Sequence, residues 1–277
     1  MMTTTTPPSG SGAPIGVFDS GIGGLTVLRA IQQLMPGEST VYFGDTARVP
    51  YGPKSPETIR RYSLEASDFL LGQDVKMIVV ACNTATAHAL PGVSEYAAVP
   101  VVGVVEPGAS KAARHSGSGR IGVIGTQGTI ESRAYDRAIH ALRPDATVFG
   151  VACPLFVALA EEGWTEGDVA RLTAERYLTP LLAREIDTLV LGCTHYPLLQ
   201  PMLAEVVGTG IDLIDSARAT AESVADTLEG LGLLAPGGEA IARFYASDDA
   251  LGFDELASRF LGAAVPHLER VSVDSTG

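Results

Sequence analysis

Basic residues are scarce in this 277-residue chain: 19 Lys and Arg stand against 32 Asp and Glu, and the lysines are Lys54, Lys76 and Lys111 alone. The net charge of −13 argues against any broad surface for nucleic acid or anionic membrane. Cysteine is rare too. Three residues, an odd number, read as reduced thiols of a cytosol rather than as a disulfide framework. No apolar run approaches the ~18–20 residues of a membrane span. The first residues lack the basic region and hydrophobic stretch of a secretory signal. Charged residues make up 18%, below the usual ~25%, and apolar residues 46%. That is enough apolar chain to bury a sizeable core, which excludes disorder, a collagenous repeat and a disulfide-stapled mini-protein. The bulk reading is a soluble, acidic, cytoplasmic globular protein of one large or two smaller domains.

Residues 1–13 are Thr, Pro, Ser and Gly with almost nothing apolar, and read as a disordered tail. Beyond them come short, continuously apolar runs: Ile15–Phe18, Thr40–Phe43, Met77–Ala81, Val99–Val105, Ile121–Ile124, Thr147–Ala152, Thr188–Leu191 and Ile211–Ile214. Unbroken apolarity suits strands covered on both faces in a parallel sheet. Helical spacing alternates with them at Leu25–Met35, Ser55–Leu71, Glu131–Leu142, Asp168–Arg184 (with a break or kink expected near Pro180) and Ala217–Leu231. Ser55 is an N-cap candidate with Pro56 at the first helical position. The fold class is α/β with right-handed crossovers.

The chain repeats itself in order. IGVFDS at 15–20 returns as IGVIGT at 121–126, TVYF at 40–43 as TVFG at 147–150, and IVVAC at 78–82 as LVLGC at 189–193. Buried parallel strands resemble one another, but three collinear matches at nearly one offset predict two similar parallel-sheet units related by pseudo-symmetry. The expected division is 14–106 plus 217–277 for the first domain and 107–216 for the second. The segment after Ala217, with a strand-like Ala242–Ala246 and a helix near Phe253–Leu261, is too short for a core of its own and should pack on the first.

In open α/β sheets ligands lie beyond the carboxyl ends of the strands. Those ends carry Asp19-Ser20-Gly21-Ile22-Gly23-Gly24, Gly44-Asp45-Thr46, Cys82-Asn83-Thr84, Gly125-Thr126, Cys153 and Cys193-Thr194-His195. The glycine loop offers amides to an anion at a helix start, but it is neither G-x-G-x-x-G nor a P-loop. Cys153, counted back to Thr46 in the repeat, has no matching thiol and reads as a small buried hydrophobe. Cys82 and Cys193 are counterparts, each ending a strand where a following helix would favour the thiolate. Two equivalent thiols could form a redox pair, bind metal, or act on opposite faces of one carbon. Spacing of the Cys-x-x-Cys kind is missing, and a redox pair is usually close in sequence. Proton removal on one face and return on the other, as racemisation needs, ranks first. No lysine falls in the cluster of strand ends, which weakens a pyridoxal-phosphate mechanism. His88 and His140 read as ordinary helix residues, and Trp164 as a loop or packing residue.

Several stretches resemble the glutamate racemases, cofactor-independent isomerases of the aspartate/glutamate racemase family that supply D-glutamate for peptidoglycan and so for cell wall and cell shape. They are GVFDSGIGGLT at 16–26, YFGDTARVPYG at 42–52, ACNTAT at 81–86, GVVEPG at 103–108, CPLFV at 153–157 and LGCTHYP at 191–197. The resemblance implies an active site in the cleft between two domains and a two-base 1,1-proton transfer. Cys82 would act on D-glutamate and Cys193 on L-glutamate, with Asp19 and His195 assisting and Asp45 and Glu161 auxiliary. Substrate contacts would come from Asp19, Ser20, Tyr51, Gly52, Asn83, Thr84, Thr126, Thr129, Thr194 and His195. The implied partner is glutamate, with no cofactor, metal, nucleic acid or membrane, and with a homodimer left open. The rival readings are a racemase of aspartate or another small amino acid, a non-catalytic amino-acid binding protein, and a regulatory partner of a macromolecule.

Overall fold

The computed structural model describes residues 10–248, 253–265 and 267–273. Residues 1–9 of the expected tail lie outside them, while residues 10–13 form a turn whose Ser11 carbonyl accepts from Lys76 Nζ at 2.6 Å.

The elements run β1 (Ile15–Asp19), α1 (Leu25–Leu34), β2 (Thr40–Gly44), α2 (Pro56–Leu71), β3 (Met77–Val80), α3 (Asn83–Tyr96), β4 (Val101–Gly103) and α4 (Val105–His115). The second half continues β5 (Arg120–Gly125), α5 (Gln127–Ser132), α6 (Ala134–Leu142), β6 (Thr147–Ala152), α7 (Leu155–Glu161), α8 (Gly167–Leu182), β7 (Thr188–Gly192), α9 (Gln200–Val207) and β8 (Asp212–Asp215). The chain closes with α10 (Ser216–Gly230), β9 (Ala242–Ala246), α11 (Phe253–Leu261) and β10 (Leu268–Arg270).

Every strand pair is parallel. One sheet has the order β10-β9-β2-β1-β3-β4, the other β6-β5-β7-β8. The common four-strand pattern, β2-β1-β3-β4 against β6-β5-β7-β8, is the pseudo-symmetry read from the repeats. Register sharpens it. Ile15 pairs with Met77 and Ile121 with Thr188, so the first and third matches hold at offsets of 106 and 111. Ile15 also pairs with Thr40, whereas Ile121 pairs with Val148, so β6 sits one residue beyond the offset the text match suggested. The structural counterpart of Cys153 is therefore Asp45 and not Thr46.

The central strands are buried throughout save Arg120 at the start of β5, as their continuous apolar runs require. Ser55 Oγ accepts from the Thr58 amide at 3.3 Å, with Pro56 opening α2. Two expectations need correction. The single helix over Glu131–Leu142 is two helices, α5 and α6, broken at Arg133, whose φ of 54° lies in the left-handed region. Conversely, α8 continues through Pro180. That residue sits in the last turn on the exposed side, where a missing donor costs one hydrogen bond that water can replace. After the second sheet the chain returns along α10, which packs against α1, and β9 then pairs with β2.

Candidate active site

The site is assembled where the carboxyl ends of the two sheets face each other. Cys82 ends β3 and is itself the N-cap of α3, its Sγ accepting from the Ala85 amide at 3.4 Å and lying 3.5 Å from Ser20 Oγ. Burial, followed by the neighbouring charge of Asp19, pushes this thiol up to about 12, against the smaller pull of Ser20 and the Ala85 amide. The helix start alone would favour the thiolate, but desolvation wins and the resting side chain is a protonated acid.

Cys193 ends β7. No α-helix begins beside it; residues Tyr196–Leu199 form a 3-10 turn before α9. Its electrostatic partner is instead a side chain. Cys193 Sγ lies 3.8 Å from His195 Nδ1, and His195 Nε2 donates to Glu161 Oε1 at 3.1 Å. Burial alone would depress the imidazole, but Cys193 and Glu161 outweigh it and raise His195 to about 10. Glu161 is steadied through its own carbonyl, which accepts from Arg259 Nη1 at 2.8 Å, and Phe260 sets its ring edge-on to His195. The segment beyond β9 thus reaches this half of the site.

Asp19, at the end of β1, is buried, its Oδ2 accepting from the Gly21 amide at 3.0 Å. Burial raises its carboxyl above the usual range, against the pull of His195 and of loop amides. Asp19 Oδ1 and Asn83 Nδ2 are both buried without a hydrogen-bond partner. An unsatisfied acceptor and an unsatisfied donor thus sit on residues next to Cys82, each costly unless a ligand pairs with it.

Hydroxyls supply the rest. Thr84 Oγ1 lies 2.9 Å from Thr126 Oγ1 and 3.3 Å from Thr129 Oγ1, joining α3 to the start of α5. Thr194 Oγ1 lies 3.5 Å from His195 Nδ1, and its carbonyl accepts from Thr26 Oγ1 at 3.1 Å across the units. Gly52 touches the opposite unit through its carbonyl, which accepts from the Gly128 amide at 3.1 Å. His88, an ordinary helix residue by its pattern, donates from Nε2 to the Gly128 carbonyl at 3.0 Å beside that contact.

Tyr51 is buried in the same core cluster as Cys82, and its hydroxyl leads from there to Asp45. The Tyr51 hydroxyl donates to Asp45 Oδ2 at 2.5 Å, and Asp45 also receives Arg48 Nε and Ser247 Oγ, so its carboxylate is spent holding the loop that carries Gly52. Cys153 is buried in the second unit's core, as a small hydrophobe should be. Of the lysines, Lys76 is buried in an ion pair with Glu38 (2.6 Å) and Lys111 faces Glu222. His140 bonds backbone carbonyls only, and Trp164 is exposed. Sequence reasoning missed Thr26 and Tyr135; the latter's hydroxyl donates to Asn83 Oδ1 at 2.7 Å. Nothing in the pattern of α6 separates Tyr135 from a core aromatic.

Known proteins match this chain over most of its length. Residues 15–224 fit the family model of the Asp/Glu/Hydantoin racemases. The glutamate racemase of Geobacter metallireducens is 53% identical over 262 residues, 94% of this chain and 97% of that one, and that of Syntrophus aciditrophicus is 51% identical over 263. The crystal structure of glutamate racemase from Francisella tularensis in complex with D-glutamate superposes with a TM-score of 0.91 at 39% identity, covering 96% of this chain and 99% of that one. The Thermus thermophilus enzyme in complex with β-chloro-D-alanine gives 0.87 at 48%, covering 95% and 98%. The chain belongs to the glutamate racemases of the Asp/Glu/hydantoin racemase family.

Proposed function

We infer that the protein interconverts L- and D-glutamate without a cofactor, by two-base proton transfer at Cα, and that it supplies D-glutamate for peptidoglycan. One observation carries the reading: two thiols at equivalent strand ends of two pseudo-symmetric units, with the unpartnered Asp19 Oδ1 and Asn83 Nδ2 on residues next to Cys82. Glutamate brings what those atoms lack. Its ammonium fits the Asp19 carboxylate. Its carboxylates fit the Asn83 amide and the hydroxyls of Ser20, Thr84, Thr126, Thr129 and Thr194.

The surroundings of the two thiols differ in a way that suits one direction. Cys193, beside a His195 that stays cationic well above neutrality, is the base that removes the Cα proton of L-glutamate. Cys82, held protonated, delivers a proton to the opposite face. Reversal exchanges the roles and acts on D-glutamate, with Asp19 assisting Cys82 and His195 assisting Cys193. Excluding water from the closed cleft strengthens each of these interactions as negative charge develops. Asp45 and Glu161 act one step back, through the 46–52 loop and through His195. The catalytic cleft lies between a domain of 14–106 plus 217–277 and one of 107–216. No described helix is long and apolar enough to cross a membrane, and a cytoplasmic enzyme fits the reduced thiols.

The test is incubation with D- or L-glutamate in D2O without added cofactor, following optical rotation and the Cα proton signal. The expected result is loss of both from either enantiomer. Exchange with aspartate and none with glutamate would overturn the substrate, and binding without exchange would overturn catalysis.

A further inference from the structure

Asn83 stands next to Cys82 and offers the site an amide, a group whose two ends have opposite character. Turned one way it gives a carboxylate a donor, and turned the other way it confronts that carboxylate with an oxygen. The side chain is 3% exposed, so water does not settle the choice. The bond that does comes from the other unit: Tyr135 Oη of α6 donates to Asn83 Oδ1 at 2.7 Å, and Nδ2 is left buried without a partner.

Tyr135 is also placed where the chain passes between units. A methyl on Gly108, in α4 just after the first crossing, would stand 3.3 Å from Tyr135 Oη and 3.2 Å from Ser216 Cβ. Ser216 opens α10 at the second crossing, and its hydroxyl is also within bonding reach of Tyr135. A methyl on Gly192, the residue before Cys193, would stand 3.0 Å from the Tyr135 ring. One phenol therefore touches both crossings, the end of β7 and the Asn83 amide.

We propose that Tyr135 is a positioning residue for racemisation: its hydroxyl fixes the Asn83 amide as a carboxylate donor, and does so only when the hinge holds the two units together. The proposal rests on the glutamate reading of the site. It makes the binding group of one unit depend on the other, so substrate binding and closure become one event. The coupling is local, one hydrogen bond long, and needs no chain of intermediaries.

The test is a double-mutant cycle in steady-state kinetics with both enantiomers, alongside thermal unfolding. Tyr135→Phe keeps the ring and removes the donor. It is expected to raise KM about tenfold for D- and L-glutamate alike, with kcat within about threefold, as loss of ground-state binding does. In an Asn83→Ala background the same substitution should change KM by less than about twofold. Gly108→Ala, which crowds the hydroxyl without removing it, provides a second probe that gains helix propensity. Its KM should rise, and that rise should also vanish in Asn83→Ala. An undiminished rise in the Asn83→Ala background overturns the positioning role and leaves the racemase reading intact. A native KM in Asn83→Ala itself overturns both the role and the assignment of the carboxylate donor.

Discussion

Asp45 and Cys153 are structural counterparts, each donating its amide to the end of its unit's central strand, at 3.0 Å to Asp19 and 2.9 Å to Gly125. Each also receives a tyrosine hydroxyl, Tyr51 on the Asp45 carboxylate and Tyr196 on the Cys153 carbonyl. The equivalent position thus serves two ends. In the first unit it is a charged anchor for a site loop, and in the second a piece of core. Asp45→Ala would strand Arg48, which keeps only Glu65 as an ionic partner, and should cost about 3 kcal/mol in urea unfolding while raising KM through the loosened 46–52 loop. Cys153→Ala should cost about 1 kcal/mol and leave kcat intact.

Gly23 sits at the tightest approach between the glycine loop and the second unit. A methyl there would lie 2.4 Å from Thr194 Oγ1 and 2.5 Å from the His195 ring. Gly23→Ala must therefore push the units apart or displace His195 from Cys193. Its kcat/KM should fall by at least about 10²-fold, as misplaced catalytic groups do. Thermal stability should fall by about 1–3 kcal/mol, as overpacking a buried contact does. A Gly23→Ala enzyme with native kcat/KM would show that the cleft works without this closure.

Cys82→Ser and Cys193→Ser separate catalysis from binding. A serine hydroxyl keeps the size and hydrogen bonding of the thiol but is a far weaker acid. Each variant should lose about 10²–10⁴-fold in racemisation, the usual worth of a positioned acid or base. Glutamate should still raise the unfolding temperature of both. Loss of that shift would assign the thiols to binding.

The pH dependence of stability has a definite sign. His195, raised from its ordinary value of 6.5 to about 10, binds its proton more tightly in the folded state. Its contribution is complete below pH 6.5 and declines as pH climbs toward 10, with a slope of at most about 1.4 kcal/mol per unit. Cys82, raised from 9.0 to about 12, extends the decline above pH 9. Urea unfolding between pH 6.5 and 10 should show this fall, and His195→Gln should flatten it. Glu161→Gln removes one of the raising partners and should bring the loss to lower pH.

What the sequence by itself determined is what local pattern can carry. Continuous apolar runs name strands buried on both faces, Ser55-Pro56 starts a helix, and polar residues clustered at strand ends locate a ligand site before any strand order is known. The repeat likewise exposes Cys82 and Cys193 as counterparts, because strand ends recur with the strands that bear them. Only the tertiary structure decided the rest, since it depends on distant segments meeting. Arg133 breaks a helix whose spacing is unbroken, because φ at one residue is set by the packing of two helices against different neighbours. The one-residue slip of β6 turns the Cys153 counterpart from Thr46 into Asp45, which no text match can see. Glu161 meets His195 across 34 residues, and Tyr135 meets Asn83 across 52. The acidity of Cys82 is the clearest case. The helix start behind it is written in the chain and favours the thiolate, yet burial beside Asp19 outweighs it, because desolvation belongs to the whole enclosure and not to any neighbouring residue.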